Sequence, residues 1–275
     1  MRIAAISDIH GNLLALEAVL ADVAHRGCDL TVNLGDIVSG PLWPRETLEL
    51  LVPLGLPTIA GNHERQLLGD PAGLAPSDAH ARQALTAVQL DWIRALPPRL
   101  RLDDVLLCHG TPGSDLDYLL EDLVPPGLVP AEAAAVSARL DHPQARGASL
   151  VLCGHTHLPR QLRLESGVLA CNPGSAGLPA FDTAWPVPHR VGTGSAHARY
   201  ALLERHGGRW EASLLAVDYD HESAARRAAS LGRADWAHAL RHGTMPRCTG
   251  GTSGFWNNPT PHARAGNPSF PGNPK

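Results

Sequence analysis

Five short segments end apolar runs with residues able to hold a hard or borderline metal: Asp8-Ile9-His10, Gly35-Asp36, Gly61-Asn62-His63-Glu64, His109-Gly110 and Gly154-His155-Thr156-His157. Carboxylate, imidazole and amide oxygen occur together without thiolate, a donor set suited to Mn, Fe, Zn, Ni or Co rather than to an all-oxygen Ca or Mg site. Asp8, His10, Asp36, Asn62, His109, His155 and His157 are too many ligands for one ion. Shared between two ions roughly 3.5–4 Å apart, they leave positions for a bridging water or hydroxide and for phosphate oxygens. Asp36 has two oxygens and lies between segments that would otherwise belong to separate ions, so it is the natural bridge. Each segment alone is commonplace, since Asp-x-His caps helices and Gly-Asp or Gly-Asn-His makes turns. Their order at five strand ends is what points to a two-metal hydrolase.

Such a meeting needs an α/β sheet, because functional groups in open sheets collect beyond the carboxyl ends of the strands. Ile3–Ile6, Leu30–Leu34, Pro57–Ala60, Val105–Cys108 and Leu150–Cys153 read as strands, each leading into a candidate ligand. Leu13, Leu16, Val19, Leu20 and Val23 recur at helical spacing, and Pro44 to Leu54 reads as a helix begun by proline. This alternation predicts a parallel or mixed sheet with helices on its faces. Further helices are expected over 77–96, 131–140, 221–231 and 234–240, and hairpins pair 160–164 with 168–171 and 198–204 with 210–217. If the extended path persists past the strand ends, residues i and i+2 share a side, so Asp8 with His10 and His155 with His157 would face one cavity. Residues 178–197, with Pro179, Pro186, Pro188, Gly192 and Gly194, predict an irregular loop or flap near the site. One catalytic domain is expected over 1–241, followed by a Gly-, Pro- and Asn-rich disordered tail over 242–275.

Composition narrows the functional class. A net charge of −4 over 275 residues, with both signs interspersed, gives no footprint for duplex nucleic acid. Cys28, Cys108, Cys153, Cys171 and Cys248 show no CxxC spacing, so a reduced, cytoplasmic setting without disulfides is expected. The chain opens directly into a strand-like run without the features of a signal peptide, and no apolar stretch reaches the roughly 18 residues of a membrane span. Gly174-Ser175-Ala176-Gly177 lacks the spacing of a serine-hydrolase elbow, and Gly192-Thr193-Gly194 leads into no nucleotide-binding helix. The expected partner is a small phosphate ester, with no duplex nucleic acid and no membrane, and assembly as a homo-oligomer stays open.

The segments resemble the signature of the calcineurin-like metallophosphoesterase superfamily, Asp-x-His, Gly-Asp, Gly-Asn-His-Asp/Glu, His and Gly-His-x-His, over residues 3 to about 175. The opening Ser7-Asp8-Ile9-His10-Gly11-Asn12 and the turn Asn172-Pro173-Gly174-Ser175 are similar to its small prokaryotic phosphodiesterase branch. The resemblance implies a four-layer α/β/β/α sandwich, two mixed sheets flanked by helices. It implies one metal on Asp8, His10, Asp36 and His157, and a second on Asp36, Asn62, His109 and His155. His63 would stand beside the metals as phosphate-binding group and general acid while a metal-bridging hydroxide attacks phosphorus in line. Phosphoprotein phosphatases carry Gly-Asp-x-Val-Asp-Arg-Gly, whereas Gly35-Asp36-Ile37-Val38-Ser39-Gly40 lacks the arginine, and Ala60 stands where they usually place Arg. The expected activity is therefore hydrolysis of a small phosphodiester. Alternatives are a phosphomonoesterase, a dinucleoside polyphosphate hydrolase, or a non-catalytic metal-binding scaffold. Asn12 is expected to cap the helix after it, Glu64 to begin its own helix, Arg65 to be a solvated charge, and Cys108 and Cys153 to be core residues.

Overall fold

Ile3 and Ala5 belong to one apolar core and Ala4 and Ile6 to another, because alternate residues of a strand face opposite sides of its sheet. The same alternation repeats at Val105 and Leu107 against Leu106 and Cys108, and at Leu150 and Leu152 against Val151 and Cys153. Strands buried on both faces belong inside a layered stack. A computed structural model describes residues 1–246 of the chain. In chain order its elements are β1 (Arg2–Ile6), α1 (Leu13–Arg26), β2 (Leu30–Asn33), α2 (Pro44–Leu51), α3 (Asn62–Leu67), α4 (Pro76–Ala84), α5 (Ala87–Arg94), β3 (Arg99–Leu102) and β4 (Val105–Cys108). There follow β5 (Glu121–Val124), β6 (Gly127–Pro130), α6 (Ala133–Leu140), β7 (Leu150–Leu152), β8 (Arg160–Arg163), β9 (Leu169–Asn172), β10 (Ala180–Thr183) and β11 (His189–Gly192). The last elements are β12 (Ala198–His206), β13 (Arg209–Val217), α7 (His221–Ser230) and α8 (Ala234–His242).

Two mixed sheets form the centre. One has the order β13-β12-β1-β2 with β1 and β2 parallel, and the other has the order β3-β4-β7-β9-β8 with β4, β7 and β9 parallel. Ile3, Val32, Leu107, Leu152, Leu203 and Trp210 fill the space between them. Each fully buried Ile or Leu there contributes about 1.5–3 kcal/mol relative to exposure. Helices α1 and α2 cover the first sheet through Leu16, Val19 and Leu48, while Val136 of α6 packs on the second. This is the expected four-layer arrangement. Helices α7 and α8 add a further apolar cluster, in which Ala228, Trp236 and Leu240 meet Leu42, Leu178 and Ala180.

Local expectations fare unevenly. The two hairpins form as β8–β9 and β12–β13, and Asn12 Oδ1 does cap α1 by accepting from Ala15 N. The expected strand over 57–60 reduces to a single bridge between Thr58 and Asn33, because Ala60 N turns away to donate to Pro97 O. The stretch 77–96 divides into α4 and α5, with Thr86 capping α5 through Gln89 N. Residues 178–197 contain the hairpin β10–β11 instead of an irregular loop; its four-residue strands flank a turn holding Pro186 and Pro188, too short for alternation to be visible in sequence. The tail expected from residue 242 begins inside α8, and its part over 247–275 lies outside the described residues. Among the described residues no helix is long and apolar enough to cross a membrane.

Candidate metal centre

The loops after β1, β2, β4 and β7, with the N-terminus of α3, bring the expected ligands together at one edge of the sandwich. Asp8, His10, Asp36, His155 and His157 all have positive φ, between 53° and 69°. The chain therefore does not stay extended past its strands, and the sharing of a side by Asp8 and His10 comes from left-handed turns. Only one other described non-glycine residue, Asp103, has positive φ. Such conformations cost about 1–2 kcal/mol each for residues with a Cβ, so the surroundings must hold them.

Three side chains do this holding. Glu64 is buried and accepts from the backbone N–H of Asp36, Ile37 and Gly61, each at 2.8 Å. Burial, with Asp36 nearby, pushes its pKa up, while the three N–H groups act in the opposite direction. Ser175 Oγ donates to Asp8 O at 2.7 Å and accepts from Leu178 N at 2.7 Å. Asn172 Nδ2 donates to Gly154 O at 2.7 Å and to Thr156 Oγ1 at 2.9 Å, clamping the loop that carries His155 and His157. Gly61 is required because a Cβ there would strike Asp36 Oδ1.

Two ligand clusters result, Asp8–His10–His157 and Asp36–His109–His155. Backbone carbonyls set the orientation of every ring. Nδ1 of His10 donates to Ser39 O at 2.8 Å, that of His109 to Leu34 O at 2.8 Å and that of His157 to Leu178 O at 2.7 Å, turning three Nε2 atoms inward. His155 is reversed, with Nε2 donating to Leu116 O at 3.0 Å, so that Nδ1 is its free nitrogen. Burial and His157 hold His10 down at about 4, and burial and His109 hold His155 down at about 3, so both offer lone pairs at neutral pH.

What the inward nitrogens meet is other acceptors. His10 Nε2 and His157 Nε2 are 3.1 Å apart, and His157 Nε2 lies 3.3 Å from Asp8 Oδ1. His109 Nε2 lies 3.1 Å from Asp36 Oδ2 and 3.1 Å from Asn62 Oδ1, which brings Asn62 to the second cluster. Against burial, Asp36 raises His109 to about 10; Asp36 itself, despite burial, is held well below the ordinary carboxylate range by His109 and His63. A set of buried carboxylates, an amide oxygen and imidazole lone pairs at these separations fits divalent cations, which would take the place of the His109 proton.

His63 stands apart from both clusters. Its backbone N donates to Asp36 Oδ1 at 3.0 Å, while Nδ1 is 2.9 Å from Oδ1 of the buried Asp78 in α4. Burial opposes the charge, yet Asp78 and then Asp36 raise His63 to about 9. Asp78 has no sequence signal beyond its place in the first turn of a helix. Arg65 is exposed, as expected of a solvated charge, and makes two hydrogen bonds to Asp115. Cys108 and Cys153 are core residues whose thiols burial pushes up. Above the clusters lies a cavity of about 1000 Å³, walled by Tyr118, Phe181, Trp185, Arg233 and Trp236.

The family profile of the calcineurin-like phosphoesterase superfamily domain matches residues 1–187. A metallophosphoesterase from Sphaerobacter thermophilus is similar in structure, with a TM-score of 0.68 at 26% identity over 88% of this chain and 100% of that one. A hypothetical protein from Pyrococcus horikoshii shares the fold, with a TM-score of 0.68 at 19% identity over 89% of this chain and 99% of that one. A curated, uncharacterised protein of Methanocaldococcus jannaschii is 48% identical over 67 residues, which span 24% of this chain and 28% of that relative. The match thus covers just over a quarter of that protein's length. With the profile matched across all five ligand-bearing segments, the chain belongs to the calcineurin-like phosphoesterase superfamily.

Proposed function

We propose that the protein is a dinuclear-metal phosphodiesterase acting on a small diester. The observation that carries the reading is the pair of adjoining clusters in which inward lone pairs face acceptors, an arrangement that a proton relieves only in part. Asp8, His10, Asp36 and His157 would hold one divalent ion, and Asp36, Asn62, His109 and His155 the other. Such a pair supplies Lewis acidity toward phosphoryl oxygens and a water acidified to near-neutral pKa. His63 is the general acid: Asp78 keeps the proton on Nδ1, and Nε2 of the cavity-lining ring protonates the leaving oxygen. A protein nucleophile is not required.

The preference for a diester follows from charge. Both arginines that line the cavity are already paired, Arg65 with Asp115 and Arg233 with Asp235, so neither guanidinium is free to balance the second negative charge of a monoester. The test is a metal-reconstituted panel of aryl phosphodiester, aryl phosphomonoester and dinucleoside polyphosphate, run with Mn, Fe, Zn, Ni or Co and with metal content measured. Turnover highest on the diester is expected. Replacing the bridging residue by Asp36→Asn should lower occupancy of both metals and abolish turnover. Full metal content with near-normal rate in that variant would refute the bridge, and a flat panel with two bound metals would leave a scaffold.

A further inference from the structure

Aromatic residues are scarce in this chain, and they are gathered at the cavity. Of the nine among the described residues, Trp43, Trp92, Tyr118, Phe181, Trp185, Tyr200, Trp210, Tyr219 and Trp236, four line it. They flank the metal clusters on two sides. Tyr118 lies beside His155, with ring centroids 5.1 Å apart, and its hydroxyl is anchored on His189 Nε2 at 2.8 Å. Opposite, Phe181 meets His157 edge to face at 4.7 Å, and Trp236 meets His10 at 6.0 Å. Trp236 is tucked against Gly40 and backs this wall, whereas Phe181 is partly exposed and Trp185 is 36% exposed. The surfaces free to receive a ligand are therefore those of Phe181 and Trp185.

The same wall has a polar rim. Asp182, Thr183, Ser77, Arg233 and Asp235 line the cavity together with the aromatic faces. An acyl chain would gain nothing from carboxylates, hydroxyls and a guanidinium; a flat ring with hydrogen-bonding edges would use both the faces and the rim. A volume of about 1000 Å³ also exceeds what a bare phosphate needs and lies at the upper end of sites for drug-sized ligands. Arg233, Asp235 and Trp236 lie outside residues 1–187 matched by the family profile, so this wall is in part supplied by α8.

We propose that the Phe181–Trp185 wall, backed by Trp236, is a subsite for a nucleobase, and that the substrate is a nucleotidyl phosphodiester. This rests on the phosphoesterase reading of the metal centre. The phosphate sits over the clusters, the base stacks on Phe181 and Trp185, and the other ester arm points toward Tyr118.

Two esters that share a leaving group isolate the subsite: the p-nitrophenyl ester of thymidine 5′-phosphate and methyl p-nitrophenyl phosphate, compared with the metal-loaded full chain. Stacking of one base should raise kcat/KM for the thymidine ester by about 5–150-fold, chiefly through KM. Phe181→Leu keeps volume but removes the aromatic face, and with Trp185→Ala it should bring the ratio down toward one; thermal melts confirm that each variant is folded. Equal kcat/KM for the two esters, or a ratio unmoved by both variants, would overturn the subsite. Binding provides a readout free of turnover. Adenosine 5′-phosphate should quench tryptophan fluorescence and bind at least tenfold tighter than ribose 5-phosphate, and equal affinities would overturn the proposal. If neither ester is hydrolysed by the loaded protein, the phosphoesterase reading fails, and this binding comparison still decides whether a base is recognised.

Discussion

Replacing Asp78 by Asn tests how the fold supplies a proton to the reaction. Asp78 Oδ1 lies 2.9 Å from His63 Nδ1, and the His63 side chain is 27% exposed against 2% for Asp78. Against burial, the carboxylate is the leading influence holding the imidazolium, and together with Asp36 and Glu64 it takes the His63 pKa from 6.5 to about 9. Asn preserves the shape and can still accept from Nδ1, but removes the charge. A return to the ordinary value is a fall of at most about 2.5 pH, or about 300-fold in proton affinity, with solvent at the partly exposed ring screening some of it. At pH 7 the protonated fraction would drop from about 99% to about 24%, roughly fourfold. At pH 8.5 it would drop from about 76% to about 1%, close to 75-fold. The damage should therefore grow with alkalinity. Bound cations lower both values, so the quantity to compare is the displacement between wild type and variant.

The assay is the pH dependence of kcat for the metal-loaded protein on two diesters, one with an aryl and one with an alkyl leaving group. An aryloxide departs without a proton and an alkoxide does not, so the basic limb should move down by up to about 2.5 pH on the alkyl ester, with a much smaller change on the aryl ester. Metal content should be unchanged, because Asp78 belongs to neither ligand cluster. A limb that stays in place, or equal losses on both esters, would refute the role given to the pair. Loss of metal would make Asp78 a structural support instead.

The clusters themselves make further expectations. His109 stands at about 10 without metal, so loading at pH 8 should release about one proton per chain from it, and apparent affinity should rise about tenfold per pH between 7 and 9. Calorimetry in buffers of differing ionisation enthalpy measures that proton; its absence would remove His109 from the ligands. The same raised group sets the stability of the metal-free chain in the opposite sense. Its contribution is fully present below 6.5 and is lost as pH rises through about 10, so chelator-treated protein should melt progressively lower over that window, unlike loaded protein. Ser175→Ala leaves Leu178 N without its partner and Asp8 O with Gly177 N alone, which should cost about 1–3 kcal/mol and lower Tm by several degrees. Metal content should fall at the Asp8 cluster first, and a Tm within a degree of wild type would contradict this.

The layers and the gathering of the candidate ligands at one edge were legible in the sequence because both rest on strong local signals. Runs such as Ile3–Ile6 and Leu150–Cys153 are apolar at every position, which marks strands buried on both faces, and the ligands follow them directly. What escaped is what depends on distant partners. Thr58 and Ile59 look like strand residues, but only neighbours decide whether a ladder forms around them. Asp78 resembles any acidic residue in a first helical turn until α4 is packed on α3. Glu64 was legible as a helix start and is one, yet its second task, gripping the N–H groups of Asp36 and Ile37, spans 28 and 27 residues of sequence. Phe181 and Trp185 gave no periodic signal in a proline-rich stretch, and their meaning depends on Trp236 arriving from α8.

The left-handed ligands connect these threads. Five residues held at positive φ would relax to ordinary backbone if released, so the site cannot be a by-product of metal binding to flexible loops. Asp36 N and Asp8 O are tied instead to Glu64 and Ser175, Asn172 grips Gly154 O and Thr156 Oγ1 in the loop that carries His155 and His157, and the rings of His10, His157 and His155 are tied to Ser39, Leu178 and Leu116. The energy that keeps the turns strained comes from packing of the sheets and helices, which is independent of any ion. An ion entering such a site need not organise its ligands, only displace a proton. Affinity should therefore respond more to Ser175→Ala or Asn172→Ala, which loosen the loops, than to exposed charge changes of similar distance from the clusters. Asp8 and His10 meet in one cluster because the fold imposes an unfavourable turn on both, and that imposition is what the short motif Asp-x-His stands for.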